Sequence, residues 1–166
     1  MKLEELTDEH NLDNCCCEVD SLNRFLKNSA LLDTKNLLSK TYVVTENEGD
    51  KTVIAFCTLV LHCLKDSEKE FFIDKEKCKE QKVPALLIGQ LGVDKRHKGK
   101  HIGASLIQQM LKFAIAIKEY VHFPVIIIDA NKESLVKYYE DKGFVRFKDK
   151  GLRLFLPMKE ILDSVA

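Results

Sequence analysis

Apolar residues recur along this chain with two different spacings, and each spacing predicts a different kind of element. Residues 2–6 can form a short first strand. Apolar side chains at three- and four-residue intervals then predict a helix that opens near residue 19, with Asp20 or Ser21 as its cap. A second short helix is predicted over residues 31–38, so two helices precede the first long strand.

The next part of the pattern is strand-like. Residues 41–64 hold two β-branched runs separated by the polar segment 46–51, which predicts a hairpin. Residues 65–82 are charged and irregular, and they predict a solvated loop insertion with room for one helical turn. The nearly continuous apolar run at 83–93 is typical of a strand that is buried on both faces.

In the second half of the chain, predicted helices alternate with predicted strands. Apolar residues mark one face of a helix of roughly four turns that starts at Ile102. A buried strand follows at 124–130, then a shorter helix that Gly143 is expected to stop, then a hairpin over 145–156 that turns at Lys150. This order predicts an α/β (α+β) fold with a central mixed sheet.

The composition is that of an ordinary soluble globular protein. Hydrophobic residues make up 45% and charged residues 31% of the 166 residues, which suits a single domain over residues 1–166. The formal net charge is zero, so a bulk attraction to nucleic acid or to anionic lipid gets no support. No segment reaches the ~18 apolar residues that a membrane span needs, which predicts a cytoplasmic protein without a membrane partner.

The six cysteines give no sign of a metal centre. Three are consecutive, Cys15 to Cys17, and the sequence contains neither a CxxC pair nor a Cys/His ligand spacing. A cytosolic compartment keeps such thiols reduced, so we expect no bound metal and no native disulfide.

The stretch DKRHKGKHIG, residues 94–103, places basic side chains and two glycines between a predicted buried strand and a long helix. Helix N-termini expose unpaired N–H groups and carry partial positive charge, so they bind phosphates. Glycine lets backbone amides approach an anion closely. The stretch matches neither a Walker loop nor a Rossmann fingerprint. From charge and glycine alone, an anion-binding loop and a solvated basic loop are equal alternatives.

The residues around this stretch resemble a known family. QLGVDKRHKGKHIGASLIQQML is similar to motif A of the GNAT N-acetyltransferases, with Lys98, His101 and Gly103 at the first, fourth and sixth positions of the loop. VKYYEDKGF is similar to the Y-E-x-x-G-F segment of the same family. The resemblance implies the GNAT fold, a mostly antiparallel twisted sheet flanked by helices, and an enzyme that takes its acetyl group from acetyl-CoA.

In that family, backbone amides of the loop hold the pyrophosphate of acetyl-CoA, which implies a set of cofactor-binding residues here. They are Leu91, Gly92, Val93, Lys98, Gly99, Lys100, His101, Ile102, Gly103, Ala104 and Asn131. Asn131 would contact the pantetheine, with helix capping as the equal alternative. His101 replaces the first motif glycine, so it either takes up tolerated backbone angles and adds its ring as a donor, or weakens phosphate binding. We favour the first, because Gly99 and Gly103 can absorb local strain.

Tyr139, in the second matching segment, is the catalytic residue that the resemblance implies. A phenol with a pKa of about 10 holds its proton at neutral pH, and a departing CoA thiolate can take that proton. Backbone N–H groups around residues 91–93 would polarise the thioester carbonyl. The alternative is that Tyr139 only packs its helix on the sheet, which is the role expected of Tyr138.

The sequence leaves the identity of the general base open. Residues 83–93 contain no Asp or Glu. This favours an α-amine acceptor, whose pKa of about 7.7–8.0 leaves it substantially neutral, over a lysine side chain. A carboxylate from Glu46, Glu48 or the 65–82 loop is the alternative base.

Both ends and the middle of the chain resemble a narrower group, the GNAT toxins that acetylate aminoacyl-tRNA. CEVDSLNRFLKNSA is similar to their C-x-x-x-x-L-x-x-F-L segment, residues 89–94 to their LGxLxVD, and residues 155–157 to their terminal F-L-P. This resemblance implies charged tRNA as the amine acceptor and an antitoxin partner, and it leaves a homodimer open.

Neutral net charge stands against a tRNA substrate, since phosphate-backbone binders usually carry a basic face. The predicted N-terminal helices supply a modest basic patch, made of Arg24, Lys27, Lys35 and Lys40. The alternatives are an N-acetyltransferase of small molecules or proteins, and a non-catalytic acyl-CoA-binding regulatory module in which His101 marks decay of the loop.

Overall fold

A computed structural model of the chain describes residues 1–47, 49–72, 81–148 and 151–165. The strands are Lys2–Glu5 (β1), Lys40–Thr45 (β2), Val53–Cys63 (β3), Pro84–Val93 (β4), Val125–Asp129 (β5), Val145–Arg146 (β6) and Arg153–Pro157 (β7). The helices are Asp20–Asn28 (α1), Ala30–Lys35 (α2), Asp66–Lys69 (α3), Ile102–Lys118 (α4), Glu133–Glu140 (α5) and Met158–Val165 (α6). Glu48, Lys150 and residues 73–80 of the predicted loop insertion lie outside the described residues, and so does Cys78, one of the six cysteines.

The strands of the described residues form one seven-stranded sheet in the order β1-β2-β3-β4-β5-β7-β6. The pairs β1/β2, β2/β3, β5/β7 and β6/β7 are antiparallel. Helices separate most of the strands along the chain. The predicted α/β (α+β) class with a central, mostly antiparallel sheet is confirmed.

Close packing divides the chain into two compact units, each made of two chain segments. The first unit comprises Met1–Val60 and Ile88–Met110, and the second comprises Leu61–Leu87 and Leu111–Ala166. The single-domain organisation stays a prediction.

The core of the first unit lies where α1 packs on the sheet. Leu22 and Leu26, one helical turn apart, are 4% and 1% exposed and pack with Val43 and Phe56 of the sheet. Phe25 stacks on Phe56 with ring centroids 6.3 Å apart. Burying apolar side chains of this size stabilises the fold by about 1.5–3 kcal/mol each. The apolar residues that recur at three- and four-residue intervals in the sequence therefore form the buried face of α1.

Aromatic side chains fill part of the core of the second unit. Phe147 and Phe155 lie with ring centroids 4.5 Å apart, and Phe71 and Phe72 pack edge-on at 5.4 Å from Phe147 and 5.2 Å from Phe155. The helical turn allowed for residues 65–82 is present as α3. The prediction of a solvated excursion holds for part of residues 65–72, of which 65–67, 70 and 71 are exposed. It is wrong for Glu68 and Lys69, which are buried, and for Phe72, which packs on the core.

The ends of α1 and α2 differ from the predicted ones. The cap residue of α1 is Val19, which makes no side-chain hydrogen bond, so the predicted Asp20 or Ser21 cap is wrong. Helix α2 ends at Lys35, three residues early, because Leu37 adopts a left-handed backbone with φ 59°.

Helix α6 follows β7 and was not predicted from the apolar pattern. Met158 and Ile161 are buried at 5% and 6% exposure, and the Met158 N–H donates to the Pro124 carbonyl at 2.9 Å. Tertiary contacts of this short segment therefore hold it in place. No helix in the described ranges is both long and apolar enough to cross a bilayer.

Candidate active site

The predicted cofactor loop connects β4 to α4. β4 ends at Val93, and the Asp94 N–H donates to the Ile54 carbonyl at 2.8 Å, which ties the start of the loop to β3. A 3₁₀ turn, Lys95–His97, follows, and α4 begins at Ile102. The loop therefore leaves a partly buried strand and enters a helix of 17 residues.

Backbone amides in this loop and in the first turn of α4 are unpaired. In the part of the chain that the structure describes, no protein acceptor is bonded to the N–H groups of Gly99, His101, Ile102, Gly103 and Ala104. The next amide along, that of Ser105, donates to the His101 carbonyl at 3.0 Å and begins the helical ladder. Unpaired N–H groups and the positive end of the helix dipole make this a site that attracts anions.

His101 occupies the place of the first motif glycine and has a left-handed backbone, with φ 57°. His is among the non-glycine residues that are enriched in this conformation, although it costs about 1–2 kcal/mol. Gly99, two residues earlier, is also left-handed, with φ 82°. The loop thus keeps the turn that glycine would give, and donation from the His101 ring to phosphate stays a prediction.

The glycines at the two ends of this segment differ in how closely their neighbours approach. A Cβ on Gly92 would lie 2.5 Å from the Phe56 ring and 2.8 Å from the Cys17 sulfur, so β4 admits no side chain there. A Cβ on Gly103 would lie 3.7 Å from Val93 and 3.8 Å from Leu91, an ordinary contact. A larger side chain at 103 would press α4 away from β4 and move the unpaired amides with it.

The lysines of the loop lie at its surface. The Lys98 ammonium pairs with Glu18 at 2.5 Å, with side chains 69% and 44% exposed. Exposed pairs of this kind are worth little, so Lys98 can exchange Glu18 for a phosphate. Lys100 lies beside Ser105 and Gln109 of α4 along a surface groove.

Tyr139, in the second unit, is positioned by the way α5 ends. The Gly143 N–H donates to the Glu140 carbonyl at 2.9 Å and the Phe144 N–H to the Tyr139 carbonyl at 3.1 Å, with Gly143 left-handed at φ 89°. These two bonds make a Schellman motif, whose usual apolar contact joins the first and last of its residues. Here that contact is Tyr139 with Phe144, with ring centroids 6.0 Å apart.

The Y-E-x-x-G-F spacing therefore has a structural explanation independent of catalysis. Its tyrosine and phenylalanine are the two residues that meet across the helix end, and its glycine is the left-handed residue between them. Tyr139 is 4% exposed and Phe144 is 2% exposed. The predicted stop at Gly143 is confirmed, and the Tyr139 ring is held in one place.

Residues 75–161, just over half of the chain, match the family of acetyltransferase (GNAT) domains. The chain belongs to the GNAT acetyltransferase family. The predicted family and enzyme class are thereby confirmed, and acetyl-CoA is the acetyl donor that this family uses.

Individual relatives of this GNAT acetyltransferase include toxins. The probable toxin TacT of Sinorhizobium fredii is 25% identical over 152 residues, which are 87% of this chain and 83% of TacT. The solved structure of AtaT complexed with acetyl-methionyl-tRNAfMet is 22% identical, with a TM-score of 0.85 over 99% of both chains. A KacT variant is 20% identical, with a TM-score of 0.86 over 98% of both chains. The two structures show that the fold is shared.

The predicted site residues of this GNAT acetyltransferase fall into two groups. The predicted cofactor-binding residues within 91–93 and 98–104 belong to the first unit. Asn131 and Tyr139 belong to the second unit. Asn131 is exposed, and the cap of α5 is Lys132, so the capping alternative for Asn131 is wrong. Its contact with pantetheine stays a prediction.

Tyr138 lies beside Tyr139 and differs from it in exposure. It is half-buried, its ring is edge-on to that of Tyr139 at 5.4 Å, and the Lys142 ammonium lies 4.9 Å from the ring centroid. Burial raises the pKa of the Tyr138 hydroxyl. These contacts fit the packing role predicted for Tyr138.

Of the carboxylates considered as bases, Glu46 is unsuited to the role. Its Oε1 lies 2.8 Å from Nε2 of His97 in the loop. The hydrogen bond to the His97 ring lowers the pKa of the Glu46 carboxyl. Glu46 is therefore a weaker base than an ordinary glutamate, and it holds the loop from the side of β2.

A buried charged cluster in the second unit was missed by sequence reasoning. Glu68 of α3 is 1% exposed, and Arg153 Nη1 donates to it at 3.0 Å. Arg153 also makes a bidentate pair with Asp129, at 2.6 and 2.8 Å. Glu68 accepts a further hydrogen bond from the Lys65 N–H at 2.8 Å. No sequence signal connects these residues, because Glu68 and Arg153 are 85 positions apart.

The cysteines in the described segments are free thiols: Cys15, Cys16, Cys17, Cys57 and Cys63. Burial raises the pKa of the Cys57 thiol above its usual range, as expected of a core residue. Across the same segments, no group of three or more metal-binding side chains comes together.

Proposed function

We propose that this protein is an N-acetyltransferase that moves the acetyl group of acetyl-CoA to the α-amine of aminoacyl-tRNA, and that it acts as a toxin. The observation that carries the proposal is the row of unpaired amides in the loop and first turn of α4, in a chain of the GNAT family. The similarity to TacT supports the toxin role. The solved complex of AtaT with acetyl-methionyl-tRNAfMet supports the acceptor.

The residues present fit acetyl-CoA. The unpaired N–H groups of Gly99, His101, Ile102, Gly103 and Ala104 would hold its pyrophosphate. Lys98 and Lys100 would add positive charge. The oriented amides fix the position of the phosphate oxygens, which accept hydrogen bonds from them. The lysines need only add positive charge nearby, so exposed and mobile lysine side chains are suitable. When bound, acetyl-CoA supplies an acetyl group activated as a thioester.

The chain's own residues would then donate a proton to the leaving thiolate and stabilise the negative charge that develops on the carbonyl oxygen. The Tyr139 hydroxyl would hold the proton that the leaving thiolate needs, because a phenol stays protonated at neutral pH. Backbone N–H groups at residues 91–93 would donate to the carbonyl oxygen as charge develops there. An α-amine acceptor needs little help to lose its own proton, so no buried carboxylate base is required.

An antitoxin partner and a cytoplasmic location belong to the same proposal. AtaT has been solved bound to the C-terminus of the antitoxin AtaR. The predicted basic patch adds little support for tRNA, because Lys35 of α2 pairs with Asp8 at 3.3 Å and Lys40, which begins β2, pairs with Glu5 at 2.8 Å. The case for tRNA therefore depends on the relatives and on direct assay.

Cofactor binding is the first test. Acetyl-CoA should bind roughly 10- to 100-fold more tightly than acetyl-pantetheine, because each charge-assisted hydrogen bond to a phosphate contributes about 1.5–3 kcal/mol. Gly103→Val should reduce this difference by displacing the start of α4, whereas Gly103→Ala should reduce it less. Isothermal titration calorimetry measures both affinities. Equal binding of the two ligands by the wild-type protein would contradict the phosphate loop.

The acceptor is tested by following labelled acetyl groups. Incubation with labelled acetyl-CoA should transfer label to a pool of aminoacyl-tRNA and not to deacylated tRNA, which lacks the α-amine. Free amino acids and peptides with exposed N-termini are the competing acceptors. Faster transfer to either of them than to aminoacyl-tRNA would replace the tRNA proposal with the small-molecule or protein alternative.

A further inference from the structure

A carboxylate with no exposed surface lies at the base of the cofactor loop. Asp94, the residue directly after β4, is 0% exposed. Its oxygens accept hydrogen bonds from the Cys16 N–H and the Arg96 N–H, each at 2.8 Å. They also accept from Arg96 Nε at 2.8 Å and from Arg96 Nη2 at 2.9 Å. This buried carboxylate thus binds the 3₁₀ turn of the loop through both its backbone and its side chain.

The same network ties the loop to the N-terminal cysteine segment. Arg96 Nη2 donates to the Asn14 carbonyl at 2.6 Å, and the Lys95 N–H donates to the Cys16 carbonyl at 2.9 Å. Cys17 is held in turn by Asn23 of α1, which accepts from its N–H at 2.7 Å and donates to its carbonyl at 3.0 Å. The loop is thereby connected through the cysteine segment to the first helix.

The charge at Asp94 is essential to this arrangement. Every donor around the carboxylate is an N–H group, so a neutral side chain could not accept from all of them. The Arg96 guanidinium, together with the backbone amides, holds the pKa of the Asp94 carboxyl well below its usual range. Asp94 is therefore ionised at any pH at which the protein would act.

We infer that Asp94 is the positioning residue of the acetyl-CoA loop, acting by holding Arg96 and the backbone of Cys16 in one buried network. The inference rests on the proposed function, because it takes the loop to be the phosphate site. Asp94 has no exposed surface with which to contact a substrate. It fixes the direction of the chain between β4 and Gly99, and so the direction in which the unpaired amides of the loop point. Amides bind phosphate only when several of them converge, so a small rotation of the loop loses several hydrogen bonds together.

The test compares two ligands that differ in the phosphates. Asp94→Asn should weaken binding of acetyl-CoA roughly tenfold or more, because converging charge-assisted hydrogen bonds are lost. Binding of acetyl-pantetheine, which has no pyrophosphate, should stay within about twofold of wild type. Asp8→Asn is the matched control, since Asp8 is exposed and lies in a surface ion pair with Lys35. It should change neither affinity. Isothermal titration calorimetry on the full chain measures both.

The possible results distinguish a positioning role of Asp94 from a purely structural role. A loss of affinity shared equally by both ligands would show that Asp94 only stabilises the fold, and no loss for either would show that it does not position the loop. Should Asp94→Asn fail to fold, Arg96→Lys answers the same question, because lysine keeps the charge but cannot bind the carboxylate and Asn14 together. A selective loss for acetyl-CoA is again expected, and an unselective result again overturns the inference.

Failure of this inference is distinguishable from failure of the proposed function. If wild-type protein binds both ligands equally, the phosphate loop itself is wrong. If wild-type protein prefers acetyl-CoA and both variants keep that preference, only the role of Asp94 is wrong.

Discussion

Replacing Tyr139 by phenylalanine should lower kcat by about 10²–10⁴-fold, the usual contribution of a general acid. The ring that meets Phe144 across the end of α5 is retained, so the Schellman motif and the packing of this segment should survive. Only the hydroxyl group is removed, and with it the proton that a general acid would donate. The affinity for acetyl-CoA should therefore change by less than about threefold, and steady-state kinetics of thiol release separates the two effects.

Tyr138→Phe is the matched control for this experiment. Tyr138 is adjacent on the same helix and carries the same hydroxyl, but it is half-buried and packs against the Lys142 side chain. Its kcat should stay within a few-fold of wild type. If both variants lose kcat equally, or if Tyr139→Phe lowers the free energy of unfolding and leaves kcat unchanged, then Tyr139 serves only the helix end.

Removal of the Arg153 side chain should cause a large loss of stability. Arg153→Ala leaves Glu68 buried without its cationic partner, and removing one member of a buried ion pair costs about 3–5 kcal/mol. Since the Arg153 side chain is 20% exposed and Asp129 is 41% exposed, we expect the lower end of that range, about 3 kcal/mol. Urea denaturation measures the change in the free energy of unfolding.

Arg146 provides the comparison, because it forms an ion pair of the same type at the surface. It pairs with Glu133 at 2.5 Å, with side chains 38% and 68% exposed. Exposed pairs contribute about 0–1 kcal/mol, so Arg146→Ala should be nearly neutral. Equal losses for the two variants would show that burial of Glu68 is not what makes Arg153 important.

Much of the cofactor loop could be predicted because its signals are local. Basic residues and glycines mark the start of α4, and the apolar face of that helix is visible in the spacing after Ile102. The left-handed turn at His101 was favoured as one of two alternatives, since a histidine in a glycine position is compatible with either. The burial of Gly92 against Phe56 could not be predicted, because it depends on which strand lies beside β4.

The element boundaries show the same limit. The end of α5 at Gly143 was predicted because a left-handed glycine and its hydrogen bonds span only six positions. The end of α2 was misplaced, since its left-handed residue is Leu37, which carries no such signal. Helix α6 was missed because it is short and is held by contacts such as that of Met158 with Pro124.

The amino-acid sequence alone determined the local structure: the spacing of apolar residues, the helix end at Gly143 and the glycine pattern of the loop. Each of these signals acts over a few positions, because steric clashes and short-range hydrogen bonds set the backbone conformation there. The polar networks were decided by the tertiary structure. Asp94 meets Cys16 across 78 positions and Glu68 meets Arg153 across 85. A charged residue alone does not reveal whether it will be buried, because burial becomes favourable only when folding brings a partner of opposite charge beside it.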